Sequence, residues 1–179
     1  LPFVVVQLAN YMEPVSGIQD SGWSGVREAQ RVVSEEDDFS ELAVTIDLGE
    51  TTDIHPLRKK DVAERVGLAF DRMVYGKDVT LSPKVIGSKV DGGKVTIMVD
   101  QDLRPCDELK YFEVAGADHR FVAATARCKG KEIEVESSLT EPRYVRYAWK
   151  NNPLGVNLYG TSGLPMGPFE LDISRPSVF

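Results

Sequence analysis

The hydrophobic pattern of this chain changes near residue 77, and that change constrains the fold more than any other feature. Before it, β-branched runs at residues 3–8 and 43–47 alternate with helical spacing at 24–33 and 56–74. Nearly continuous apolar strands that alternate with amphipathic helices are typical of a parallel sheet covered by helices. The first part of the chain therefore predicts an α/β arrangement.

Helical spacing also predicts which side chains face a core. In the first predicted helix, Val26, Ala29 and Val33 fall on one face. In the second, apolar residues recur every three or four positions, at Val62, Val66, Ala69, Phe70 and Met73. We expect both of these faces to be buried.

After residue 76 the pattern is all-β. Short alternating or aromatic runs predict strands at 84–90, 94–99, 111–115, 121–127, 132–136 and 144–149, with Gly, Asp or Pro between them. Such spacing is typical of an antiparallel sandwich, and residues 151–168 are rich in Gly and Pro and predict an irregular tail. We predict two domains, a parallel α/β arrangement over 1–76 and a β-sandwich with its tail over 77–179.

Charge and hydropathy exclude several classes of partner. The chain has 21 Lys and Arg against 28 Asp and Glu, and its densest basic run, at 58–60, is followed by Asp61 and Glu64. A net charge of −7 without a basic cluster argues against nucleic acid. No run approaches the roughly 18 apolar residues of a membrane span. Cys106 and Cys128 are compatible with one disulfide or with two free thiols.

Acid–base chemistry near neutral pH has few candidate residues here. The chain has two histidines, and His55 falls in the loop after the second predicted strand, where α/β sheets collect reactive groups. Asp53 lies two positions earlier, and the two could form the base–acid half of a nucleophilic relay. Alternatively, both residues cap the helix predicted to begin at Pro56. His119 is predicted to be a solvent-facing turn residue.

The sequence supplies no matching nucleophile or metal set. It has no G-x-S-x-G elbow and no phosphate-binding glycine motif, and Ser16, Ser21 and Ser24 lack a tight strand–turn–helix setting. Two isolated histidines and two distant cysteines do not make a ligand set, so we predict no metal site. The residues predict a general base and an acid without their serine.

Seven motifs in chain order resemble one known family. They lie at residues 1–8 (LPFVVVQL), 26–30 (VREAQ), 43–56 (AVTIDLGETTDIHP), 61–66 (DVAERV), 112–122 (FEVAGADHRFV), 145–153 (VRYAWKNNP) and 157–169 (NLYGTSGLPMGPF). Together they are similar to the sialate O-acetylesterases, serine esterases of the SGNH-hydrolase type. The resemblance implies that residues 1–76 are the C-terminal part of an SGNH-like domain. It also implies hydrolysis of acetyl esters on sialic acid, of the 9-O-acetyl type.

The resemblance also implies roles for individual residues. His55 matches the histidine of the family's D-I-H-P motif and takes the role of general base. The usual SGNH pattern has Asp three positions before His, where this chain has Thr52, so Asp53 is the predicted orienting acid. Gln7 and Asn10, at the end of the first predicted strand, are predicted to bind substrate, with a structural role as the alternative. No cofactor is implied.

In such enzymes the serine and the oxyanion-hole donors precede the part that this chain matches. We therefore expect an N-terminal part of the same enzyme, as a separate chain or a cleaved fragment, to supply the nucleophile. The family implies a secreted or periplasmic setting, lysosome-like in a eukaryote.

Two other functions stay open. One is an esterase of acetyl-xylan or another plant glycan, and the other is a non-catalytic sandwich that binds sugars. In the second, aromatic side chains either stack on sugars or pack the core: Trp23, Tyr147, Trp149 and Tyr159.

Overall fold

The computed structural model describes residues 1–174, which form a mixed α/β structure with two helices. The elements in chain order are β1 (Phe3–Val6), α1 (Gly22–Glu36), β2 (Ser40–Ala43), α2 (Lys59–Met73), β3 (Val85–Asp91), β4 (Lys94–Val99), β5 (Phe112–Ala115), β6 (Phe121–Ala123), β7 (Thr125–Lys129), β8 (Glu132–Glu136), β9 (Tyr144–Tyr147) and β10 (Phe169–Asp172). Neither helix in this range has the length and apolar character needed to cross a membrane.

The first two strands form a parallel pair, as the sequence predicts, with Phe3 opposite Ser40 and Val6 opposite Ala43. The predicted second strand at 43–47 is displaced, because β2 ends where the prediction begins. Beyond Ala43 the strand ladder gives way to a side-chain bond, in which the Thr45 hydroxyl donates to the Gln7 carbonyl. The β-branched run is buried as expected, but it forms a turn rather than a strand.

Helix α1 contacts the rest of the chain through its polar face. Its buried residues are Ser24, Arg27 and Ser34, whereas Val26 and Val33 are 47 % and 50 % exposed. The prediction that the valine face is buried is therefore wrong. The buried face instead holds Arg27, whose guanidinium donates to four backbone carbonyls in the segments after β1 and β9.

Helix α2 follows its predicted pattern more closely, because Val62, Val66, Ala69 and Met73 are all at least half-buried and only Phe70 is exposed. It begins at Lys59, three residues after Pro56. From its middle, Arg65 donates to the Val44 carbonyl over 2.7 Å and to both carboxylate oxygens of Asp47.

The remaining strands form two antiparallel four-stranded sheets, ordered β10-β9-β5-β6 and β3-β4-β8-β7. The sandwich is thus present, and β4 and β8 match their predicted ranges. The run predicted as one strand at 121–127 is two strands in different sheets. The chain changes sheets at Ala124, whose N–H donates to the Phe112 carbonyl. Strand β10, which follows the irregular tail, was not predicted.

One apolar core joins the sandwich to the first part of the chain. Phe112, Tyr147 and Phe169 pack together with ring centroids 5.0 to 6.3 Å apart. Val44 and Ile46, from the turn after β2, belong to the same buried cluster. The change in sequence pattern at residue 77 therefore does not coincide with a break in packing.

The backbone of Cys106 lies opposite that of Cys128 in β7, in an isolated antiparallel bridge. Cys106 and Cys128 exchange both backbone N–H···O bonds, at 3.2 and 2.8 Å, and both thiols are free in the structure.

The guanidinium of one residue, Arg27, forms hydrogen bonds with both the α/β part and the sandwich part of the chain. Arg27 is fully buried and donates to the carbonyls of Leu8 (2.8 Å), Ala9 (2.7 Å), Lys150 (2.7 Å) and Asn151 (2.9 Å). Burial lowers its pKa to about 9, which leaves it charged at neutral pH. Among residues 1–174, no carboxylate lies within ion-pairing distance of Arg27. The four carbonyl acceptors stabilise its charge instead.

We expect Arg27→Met to lower the free energy of unfolding by about 3 kcal/mol or more, because four buried carbonyls lose a charged donor. Urea unfolding followed by circular dichroism measures the change. Arg31→Met is the matched control on the same helix, since Arg31 bonds to partly exposed Glu28 and Glu35, and its expected cost is about 1 kcal/mol. Equal costs for the two variants would contradict this account.

Candidate active site

The structure brings Asp53 and His55 together in the loop between β2 and α2. Oδ1 of Asp53 accepts the backbone N–H of His55 over 2.8 Å and lies 3.2 Å from Nδ1 of its imidazole. A carboxylate that accepts from the backbone two residues on forms a local turn that needs no distant partner. The spacing D-x-H therefore suffices to bring the two side chains into contact.

The alternative that these residues cap α2 is wrong. The residue before that helix is Arg58, and no side chain makes a capping hydrogen bond there. The hydrogen bonds of the Asp53 carboxylate go to His55 instead.

The electrostatics of the pair suit a base held by an acid. The backbone N–H of His55, followed by its ring, holds the pKa of the Asp53 carboxyl below its ordinary value. A carboxylate beside Nδ1 favours the tautomer with its proton there, which leaves Nε2 free to accept one. Among residues 1–174, Nε2 has no hydrogen-bond partner, and the His55 side chain is 82 % exposed. Nε2 is thus open to accept a proton from a group outside the described residues.

The start of this loop, in contrast to its tip, is anchored. The Gly49 N–H donates to Oδ1 of Asn10 over 2.7 Å, and Glu50 forms a parallel bridge with Tyr11. The residues after β1 and after β2 therefore run side by side, as expected of neighbouring parallel strands.

Gln7 and Asn10, the predicted substrate-binding residues, are both buried. Both ends of the Asn10 amide have partners, Gly49 on the oxygen and the Asn152 oxygen, at 2.8 Å, on the nitrogen. The Gln7 amide has no hydrogen-bond partner among residues 1–174 and lies against Gly167 of the tail. Neither amide has a hydrogen bond to Asp53 or His55 among residues 1–174, and their role toward a substrate stays a prediction.

The aromatic residues considered as sugar platforms have packing partners. Tyr147 is fully buried, Trp23 donates to the Ala9 carbonyl over 2.9 Å, and the Tyr159 hydroxyl contacts Asp47 at 3.3 Å. Trp149 lies beside Arg146, 5.6 Å from its guanidinium to the ring centroid.

His119 occupies the predicted turn and also has a packing role. Its side chain is about half exposed, with Nε2 at 2.8 Å from Glu170 and its ring edge-on to Phe121 and Tyr144. In the described range, no group of three His, Cys, Asp or Glu residues could hold a metal ion.

Two residues that organise this region had no role assigned from the sequence. Arg27 and Asn152 both lie in motifs of the resemblance. The partners of Asn152 and two of the four partners of Arg27 are more than a hundred positions away. Arg27 lies between Val26 and Glu28, so its neighbours in the sequence do not indicate that it is buried. No local pattern identifies Asn152.

Comparison with solved structures finds a similar protein. The chain is similar to the crystal structure of a carbohydrate acetylesterase from Xanthomonas citri, with a TM-score of 0.86 and 36 % identity over 96 % of this chain. It spans 41 % of the length of that protein. No protein-family model matches the chain, and no curated protein matches it significantly.

We expect the pH titration of Asp53 to have a midpoint below its ordinary value of 3.8, because the charged form is the one that accepts both bonds. The contribution of this turn to stability is present above the unfolded pKa and is lost as pH falls through the folded one. The His55 amide shift in ¹H–¹⁵N spectra measures the midpoint, with Asp53→Asn as the control that removes the titration. A midpoint at or above 3.8 would contradict the turn.

Gly49→Ala should distort the loop, because a Cβ at this position would lie 1.8 Å from the backbone oxygen of Asn10. We expect a loss of about 1–3 kcal/mol in the free energy of unfolding, the usual cost of forcing atoms into filled space. Gly67→Ala in α2, where a Cβ meets nothing within 4 Å, is the matched control. It should stabilise the chain by about 0.5–1 kcal/mol, and a neutral Gly49→Ala would show that the close approach is not required.

Proposed function

We propose that this chain is the part of a carbohydrate O-acetylesterase that carries the catalytic His55 and Asp53. The observation that carries the proposal is the Asp53–His55 turn with Nε2 exposed, in a chain that is 36 % identical to a carbohydrate acetylesterase over nearly its whole length. A general base needs an oriented imidazole with one accessible nitrogen, and this turn provides both.

The reaction we propose is acyl transfer through a serine outside this chain. The serine oxygen attacks the acetyl carbonyl while Nε2 of His55 takes its proton, and Asp53 stabilises the resulting imidazolium. His55 then gives that proton to the departing sugar oxygen, which leaves an acetyl-serine. Water attacks the acetyl-serine with His55 again as base, so that acetate leaves and the serine recovers its proton.

We propose that the part bearing the serine pairs with the open edge of β1. Within residues 1–174, β1 has a neighbouring strand on one side only. Its Phe3 and Val6 side chains are each 44 % exposed, and Val26 and Val33 of α1 are also exposed. Apolar strand and helix residues in this position support a further parallel strand with its covering helix, from the N-terminal part of the same enzyme.

As substrate we propose 9-O-acetylated sialic acid, which rests on the motif resemblance, in a secreted or periplasmic setting. Acetyl-xylan or another plant glycan is the competing substrate. Acetate release from the two, measured side by side on the full-length protein, separates them. Binding of either glycan without release of acetate would favour the sugar-binding module.

We expect His55→Ala in the full-length protein to lower kcat for acetate release by about 10³-fold or more, because the serine loses its base. His119→Ala, the only other histidine, is the control and should retain activity. Fluorophosphonate labelling followed by peptide mapping locates the nucleophile. Label on a serine among residues 1–179, or full activity of His55→Ala, would overturn the proposal.

A further inference from the structure

Three distant stretches of the chain meet at one buried side chain of the sandwich part, Asn152. It lies in the loop after β9 and is 2 % exposed. Its amide nitrogen donates to the Met12 carbonyl over 2.6 Å and to Oγ1 of Thr51 over 3.3 Å. Its oxygen accepts Nδ2 of Asn10 over 2.8 Å. The sandwich therefore contacts both the residues after β1 and the loop that carries the Asp53–His55 turn.

Asn10 extends this contact to a second point on the same loop. Its Oδ1 accepts the Gly49 N–H over 2.7 Å, and its backbone lies so close to Gly49 that no side chain fits between them. With Asn152 on Thr51, the loop is held at two positions, four and two residues before Asp53. Both attachments pass through buried amides that meet at Asn152.

Within residues 1–174, the tip of the loop has no comparable anchor. Residues 52–55 are exposed, and Asp53 and His55 bond to each other rather than to the body of the chain. In the described part of the chain, the Asp53–His55 turn has hydrogen bonds only within itself. It therefore keeps its internal geometry but changes position together with the residues that precede it. The orientation of the imidazole toward a substrate is then set at Gly49 and Thr51.

We propose that Asn152 is a positioning residue for the His55–Asp53 pair, acting through Thr51 and Asn10. This rests on the proposed esterase function. A catalytic group displaced by about 1 Å can lose about 10²-fold in rate. Removal of the Asn152 amide leaves the buried Asn10 amide nitrogen without its partner and removes the bond to Thr51. The loop then loses one attachment directly and the other through Asn10, so it shifts.

The test compares kinetics and His55 spectra in the full-length protein. Asn152→Asp keeps the acceptor for Asn10 but loses both donors, and Thr51→Val removes one acceptor with little change of shape. We expect Asn152→Asp to lower kcat by about 10–100-fold with KM within about twofold, since the turn binds no substrate by itself. The His55 ring signals and its amide shift should move in both variants.

Asn157→Asp is the matched control, because Asn157 also makes three amide bonds, to Glu108, Cys106 and Lys110, wholly within the sandwich part. It should lower thermal stability while leaving kcat and the His55 signals unchanged. If Asn152→Asp lowers stability but leaves kcat and the His55 signals at wild-type values, the residue is structural only and the inference is wrong. Thr51→Val decides the case if Asn152→Asp does not fold.

The two proposals fail in different ways. If wild-type protein releases no acetate, or His55→Ala retains full activity, the esterase function is wrong whatever the Asn152 variants do. If His55→Ala is inactive while the Asn152 and Thr51 variants keep wild-type kcat, the esterase function stands and the positioning role alone is refuted.

Discussion

The buried guanidinium of Arg27 is the interaction on which the rest of the arrangement depends. It donates to two carbonyls in the segment after β1 and to two in the loop after β9, so the α/β part and the sandwich share one donor. Burying a charge is costly unless its hydrogen bonds are satisfied. The requirement for four acceptors therefore restricts how the segment after β1 can lie against the segment after β9. The loop of His55 and the loop of Asn152 are neighbours because this contact fixes the two strand ends beside each other.

Polar bonds form a large part of the junction, beside the apolar core that the two parts share. Arg65 repeats the pattern on the other helix, binding the Val44 carbonyl and Asp47, whose carboxylate also contacts the Tyr159 hydroxyl of the tail. Such bonds have strict directions, whereas apolar contacts allow sliding. The shared core at Val44 and Ile46 supplies the non-directional part of the attachment. The two parts therefore behave as one packed body around the candidate site.

Sequence predicted those features that depend on near neighbours in the chain. The contact between Asp53 and His55 follows from a spacing of two, and β4 and β8 follow from alternation along single strands. Features that depend on distant partners were missed or wrong. The valines of α1 gave a convincing helical stripe, yet the buried side is the one with Arg27, because its carbonyl partners lie up to 124 residues away. The turn at Thr45 and the sheet change at Ala124 likewise follow from tertiary bonds that no local pattern encodes.

A general base has two opposing needs, since its imidazole must be open to the substrate and yet held in one orientation. This chain separates them along one loop: residues 52–55 are exposed, while Gly49 and Thr51 are tied to buried amides. The amides sit at the junction that Arg27 organises, and one of them, Asn152, belongs to the sandwich. Under the proposed function, the sandwich is therefore part of the catalytic support rather than an appended module, because the base would lose its orientation without the loop that carries Asn152.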